Sequence, residues 1–157
     1  MKGASIVDIK KELSHKSYGE LTELCLRLSK FKKENKELLT YLLFESHNED
    51  GYIESVKNYI DEQFEQINTA SYFYIRKSSR KILTNTKKFI RYSQTKETEV
   101  ILLLYFCQKL KTFSPSIKYS TQLLNMYNRQ LLLIKKLVAT LHEDLQHDYK
   151  IFIENLS

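Results

Sequence analysis

Two short patterns set a histidine three residues after a carboxylate: Glu12-Leu13-Ser14-His15 and Asp144-Leu145-Gln146-His147. On a helix this spacing puts both groups on one face, and di-metal carboxylate bundles use two such pairs with further glutamates from facing helices. No inward-facing pair of extra glutamates accompanies them, and His15 falls at an expected helix end. A di-metal carboxylate protein is therefore the third reading, and no metal ligand or cofactor is assigned. In His142-Glu143-Asp144-Leu145-Gln146-His147 the two histidines are five apart. A zinc-protease helix needs four, so that both share a face. The chain has no phosphate-binding glycine loop, no G-x-S-x-G and no C-x-x-C. The eleven tyrosines read as residues at the edge of a core, and Cys25 and Cys107 as small buried hydrophobes. These readings together describe a protein that is not an enzyme.

The other candidate chemistry is electrostatic. From Gln66 to Lys96 there is no Asp or Glu and there are eight Lys or Arg, a segment that carries the whole formal charge of +6. A local basic stripe is the usual footprint of a polyanion contact. With Ile75 set at zero and 100° per residue, Ile82, Leu83, Phe89 and Ile90 fall within about 80° of it. Arg76, Lys77, Arg80, Lys81, Lys87, Lys88 and Arg91 occupy the opposite arc. From Arg76 to Arg91 the stripe runs roughly 22 Å, enough to follow several phosphates. Ser78, Ser79, Thr84 and Asn85 would add neutral contacts, and Tyr72, Tyr74 and Tyr92 would stack on unpaired bases if exposed. The competing reading is an internal ion-pair face. The preceding helix, over 52–67, carries Glu54, Asp61, Glu62 and Glu65, and a short turn near Asn68 would lay it antiparallel to the basic one, masking part of its charge.

The elements that must position these groups are helices. Three Gly and one Pro leave little material for the turns of a sheet protein, and apolar spacing follows 3.6 residues almost throughout. Ser5 caps a first helix, and Ser17 with Glu20 forms a capping box for a second beginning near Tyr18. The polar run Lys32–Asn35 reads as a corner, followed by a short helix carrying Leu38, Leu39, Leu42 and Leu43. The run from Ser46 to Gly51 ends that helix. Further helices follow over about 52–67, 70–92 and, after Thr95, to about Phe113. Beyond Pro115 the apolar series Ile117, Leu124, Leu131, Val138, Leu145, Phe152 repeats every seven residues, which reads as one long C-terminal helix. Its stripe suits a bundle core, and Ile117, Leu124, Leu131, Val138 and Leu145 also make it a candidate seam for a homo-oligomer.

The expected fold is all-α: one domain over 1–157, a single bundle of six to seven helices, with an α-solenoid-like stack of helical hairpins as the alternative. A chain of 157 residues with 42% apolar content fills a core without disulfides or metal. No stretch reads as a secretory signal or a membrane span, and a cytoplasmic location is expected. The segment Leu21-Thr-Glu-Leu-Cys-Leu-Arg-Leu-Ser-Lys-Phe through Leu38-Leu39-Thr40-Tyr41-Leu42 resembles an uncharacterised family of small all-helical bacterial proteins. That resemblance implies an all-helical fold and no functional residues. The functional expectation is a helical interaction or adaptor module for an unidentified protein partner. Nucleic-acid binding through the basic face of helix 70–92 is the alternative.

Overall fold

In the computed structural model, which describes all 157 residues, every regular element is helical. The chain, expected as one domain, divides into two compact units, Met1–Phe44 and Glu45–Ser157.

The smaller unit holds α1 (Ile6–Leu13), α2 (Tyr18–Phe31) and α3 (Lys33–Thr40), with one π-type turn over Tyr41–Glu45 leading out of it. The capping chemistry is as the sequence requires. Ser5 Oγ accepts from Asp8 N at 3.2 Å. Ser17 and Glu20 make the reciprocal box, with Ser17 N donating to Glu20 Oε1 at 3.3 Å and Glu20 N to Ser17 Oγ at 3.2 Å. The backbone N–H of Ser17 is the main reason the Glu20 carboxyl lies below its ordinary value. At the Lys32 corner the chain extends, and Asn35 Nδ2 donates to the Leu28 carbonyl at 2.8 Å, satisfying one of the loose acceptors that end α2. No side chain of α1, α2 or α3 is buried.

The larger unit comprises α4 (Glu49–Glu65), α5 (Tyr72–Ser93), α6 (Lys96–Lys111), α7 (Thr121–Val138) and α8 (Glu143–Leu156), with a 3-10 turn at Ile117–Tyr119. Helix α6 is its axis, packing against α4, α5, α7 and α8. Its sequence is apolar on most sides, and Val100, Leu102, Leu103, Phe106, Cys107 and Leu110 are fully buried, as a helix surrounded by others must be. The amphipathic helices each lay one stripe on it: Ile53, Val56, Ile60 and Phe64 from α4; Ile75, Ile82 and Ile90 from α5; Leu123, Leu131, Ile134 and Val138 from α7. Phe64 meets Phe106 at 5.7 Å between ring centroids.

Tyrosine hydroxyls bolt these helices together. Tyr52 donates to the Phe89 carbonyl at 2.7 Å, Tyr72 to the Ser116 carbonyl at 2.7 Å, Tyr149 to Glu97 Oε1 at 2.8 Å, and Tyr127 to the Leu156 carbonyl. A ring with a polar tip suits this position, since its body is buried while its hydroxyl finds a partner at the rim. Glu49 does similar work at one end of the bundle, accepting from Ser93 Oγ at 2.5 Å and Thr98 Oγ1 at 2.7 Å, so that α4, α5 and α6 share one carboxylate.

Two expectations need correction. The long C-terminal helix is two helices, broken at 139–142, so there are eight α-helices instead of six or seven. Thr140 Oγ1 turns back on the Leu137 carbonyl at 2.7 Å, Gln146 Nε2 takes the Leu141 carbonyl at 2.8 Å, and His142 Nδ1 caps Asp144 N at 3.3 Å. Polar side chains thus satisfy the backbone groups that the break frees. Apolar spacing of seven continues across the break, which is why the sequence pattern concealed it. The candidate oligomer seam is also spent within the unit. Ile117, Leu131 and Val138 are buried and Leu124 and Leu145 partly so, leaving no exposed stripe there for a second chain. No helix is long and apolar enough to cross a membrane.

Candidate polyanion-binding face

Helix α5 has 22 residues, and its two faces separate as the wheel predicts. Ile75, Ile82, Leu83 and Ile90 are buried, while Lys77, Arg80, Lys81 and Arg91 are exposed and Arg76, Lys87 and Lys88 partly exposed. The helix ends at Gln94, which adopts the left-handed conformation at φ 54° and donates its N–H to the Ile90 carbonyl. The turn into α6 follows at once, with Thr95 as its cap residue.

The decisive question is where the carboxylates of α4 point. Asp61 turns to α6: its Oδ1 accepts from Lys109 Nζ at 2.8 Å and from Tyr105 OH at 2.6 Å. Glu54 pairs with Lys57 on its own helix at 3.5 Å. None of Arg76, Lys77, Arg80, Lys81, Lys87 and Arg91 forms an ion pair. Asp61 and Glu54 therefore do not mask the basic face, and Lys77, Arg80, Lys81 and Arg91 stay open to solvent.

Burial raises the Asp61 carboxyl, but hydrogen bonds from Lys109 and Tyr105 and the nearby Lys57 charge outweigh it and hold the group below its ordinary value. Burial and then the bond to that carboxylate push the Tyr105 phenol up to about 12. Lys57 and Lys109 both lie over the Tyr105 ring, at 5.3 and 5.6 Å from its centroid. This cluster ties α4 to α6 and belongs to the scaffold.

Several neutral groups expected on the basic face are committed elsewhere. Asn85 Nδ2 donates to Tyr59 OH at 2.7 Å, and Thr84 Oγ1 donates to its own helix at the Arg80 carbonyl, 2.9 Å away. Ser79 is fully buried with no partner for its hydroxyl. Tyr72 is held by Ser116, as above. Phe73 and Tyr74 are the exposed aromatics near the start of α5, in edge contact at 5.5 Å. Stacking capacity thus lies at the helix start, and charge along its length. At the other end, Lys87, Arg91 and Lys96 line a cleft of about 480 Å³, with Ile90, Leu133 and Glu99 completing its walls. Lys96 extends the basic face beyond α5, a neighbour that the helix wheel of α5 alone does not contain.

The two carboxylate–histidine pairs lie in different units. Glu12 and His15 are exposed in the smaller unit, and Asp144 and His147 exposed in the larger. Asp144 instead approaches His142 Nδ1 at 3.5 Å, and no group of three or more His, Cys, Asp or Glu is placed to hold a metal ion. Cys107 is buried, and burial raises its thiol to about 12, so it is inert. Cys25, expected to be buried, is exposed on α2.

No family model, curated protein or solved structure matches this chain. The resemblance to small all-helical bacterial proteins rests on the residues quoted for it alone.

Proposed function

We propose that the protein is a non-enzymatic helical module that holds a macromolecular partner, and that the partner met by α5 is a polyanion, a nucleic-acid backbone. The observation that carries this reading is that Lys77, Arg80, Lys81 and Arg91 are exposed and that Asp61 and Glu54 of α4 are turned to α6 and to their own helix. Lys77, Arg80, Lys81 and Arg91 are the principal phosphate contacts, with Arg76, Lys87 and Lys96 beside them. Phosphate neutralisation releases condensed counterions, so affinity falls steeply with salt and depends little on sequence. Few neutral donors on this face are free to read base edges, which favours backbone binding over sequence recognition.

The test is fluorescence anisotropy of labelled duplex DNA, single-stranded DNA and RNA over a salt series. Binding that weakens with salt supports the reading. No binding at the lowest salt overturns it and returns the search to a protein partner.

A further inference from the structure

Three aromatic rings gather at one end of the larger unit and take no part in its scaffold. Phe73 and Tyr74 open α5 and are 60 and 45% exposed, and Tyr119 closes the 3-10 turn and is 82% exposed. One acceptor brings them to the same place. The Ser116 carbonyl takes the Tyr72 hydroxyl at 2.7 Å and the Tyr119 N–H at 3.4 Å, while buried Ile117 anchors the turn in the core. The turn that carries Tyr119 is thereby held against the start of α5. Tyr52, Tyr72, Tyr127 and Tyr149 spend their hydroxyls on holding elements together. Those of Tyr74 and Tyr119 make no hydrogen bond within the protein.

Charge leads away from these rings in one direction. Residues three, four and seven apart share a helix face. Phe73 therefore heads a row containing Lys77 and Arg80, and Tyr74 one containing Lys77 and Lys81, over roughly 10 Å at 1.5 Å per residue. Lys118, exposed in the 3-10 turn, adds a cation beside Tyr119. Glu62 and Glu65 stand in the last turn of α4, before the chain enters α5, so the attractive path for a polyanion runs from the rings along α5.

We infer that this end of the unit is a stacking platform for unpaired bases, and that the nucleic acid met by α5 is a single strand. The inference rests on the polyanion reading of α5 and narrows it. In a duplex each base is covered on both faces by its neighbours, so a duplex offers α5 its phosphates alone. A single strand offers phosphates and free base faces together, and every base has such a face, so stacking tolerates any sequence. Bases rest on Phe73, Tyr74 and Tyr119 while the backbone passes Lys77, Arg80 and Lys81. A lipid surface meets a protein as a plane, whereas these cations run in a line from the rings, as a strand does.

The test uses the full chain at one low salt with a labelled oligothymidylate of about 12 nucleotides, within the site sizes of single-strand binders. An abasic strand of the same length keeps the phosphates and lacks the bases. The oligothymidylate should bind on the order of tenfold or more tighter than the abasic strand, and tighter than a duplex of that length. Phe73→Leu with Tyr119→Leu keeps apolar bulk and removes two aromatic faces, and should bring the oligothymidylate down toward the abasic level, with circular dichroism to check that the helices remain. The chain has no tryptophan, so Phe73→Trp supplies a single emission signal, which the oligothymidylate should quench and the abasic strand should leave unchanged. Equal affinity for the oligothymidylate and the abasic strand overturns the platform and leaves the polyanion reading standing. No binding of any probe overturns both. A duplex that binds best, a preference that survives the leucine substitutions, or Phe73→Trp emission that responds only to phosphatidylserine vesicles also overturns the proposal.

Discussion

Replacing Lys77, Arg80, Lys81 and Arg91 together by Ala should change how nucleic-acid affinity depends on salt. All four are exposed and none of their side chains forms an ion pair or hydrogen bond, so removing them should alter stability by no more than about 0.5 kcal/mol each. Each phosphate neutralised on a duplex adds about 0.9 to the slope of log K against log salt. Seven engaged cations give a slope near −6, and the three remaining after substitution give one near −3. Raising salt fourfold, from about 50 to about 200 mM, should then weaken the wild type several-thousand-fold and the variant only about 40-fold. The assay is anisotropy at five or so salt concentrations, with thermal unfolding of both proteins as the control. The absolute affinity at one salt is less informative than the slope, because the slope counts phosphates. A variant that remains folded and keeps the wild-type slope would refute the reasoning, since the binding cations would then lie elsewhere.

Three further outcomes concern the scaffold. Phe106→Ala empties a fully buried site beside Phe64 and should cost about 3–5 kcal/mol in urea unfolding. Ser79→Ala removes a buried hydroxyl with no partner and should stabilise the protein by roughly 1 kcal/mol, a sign opposite to most core substitutions. Asp61 has a folded-state value below its unfolded one, so its contribution is complete above the ordinary carboxylate value and fades as pH falls through the folded one. The stability gap between wild type and Asp61→Asn should therefore be present at about pH 6 and shrink at about pH 3, read from urea midpoints. An unchanged gap at low pH would mean that the bonds from Lys109 and Tyr105 do not depend on the Asp61 charge.

The sequence by itself determined the helices and most of their ends. Ser5, Ser17 with Glu20, and Pro115 act through local geometry and short-range hydrogen bonds, so their effect is written within a few residues. It also determined that the cations of α5 oppose its apolar stripe, because that follows from 100° per residue. The break at 139–142 was hidden because an apolar repeat of seven persists through a bend: Leu145 and Phe152 of α8 keep the spacing of α7, although the first is half-buried and the second exposed. What only the tertiary structure decided is which faces are used up. Apolar stripes on α2 and on α7 look alike as text, yet Leu131 and Val138 are buried while Leu24 and Leu28 are exposed. Charge follows the same rule. The composition of α4 permits Asp61 to pair with α5, but a carboxylate bonds whichever donor packing brings within about 3 Å, and packing brings Lys109 and Tyr105 of α6. Pattern along a chain fixes the direction of a side chain on its own helix, and only the positions of the other helices fix what that side chain meets.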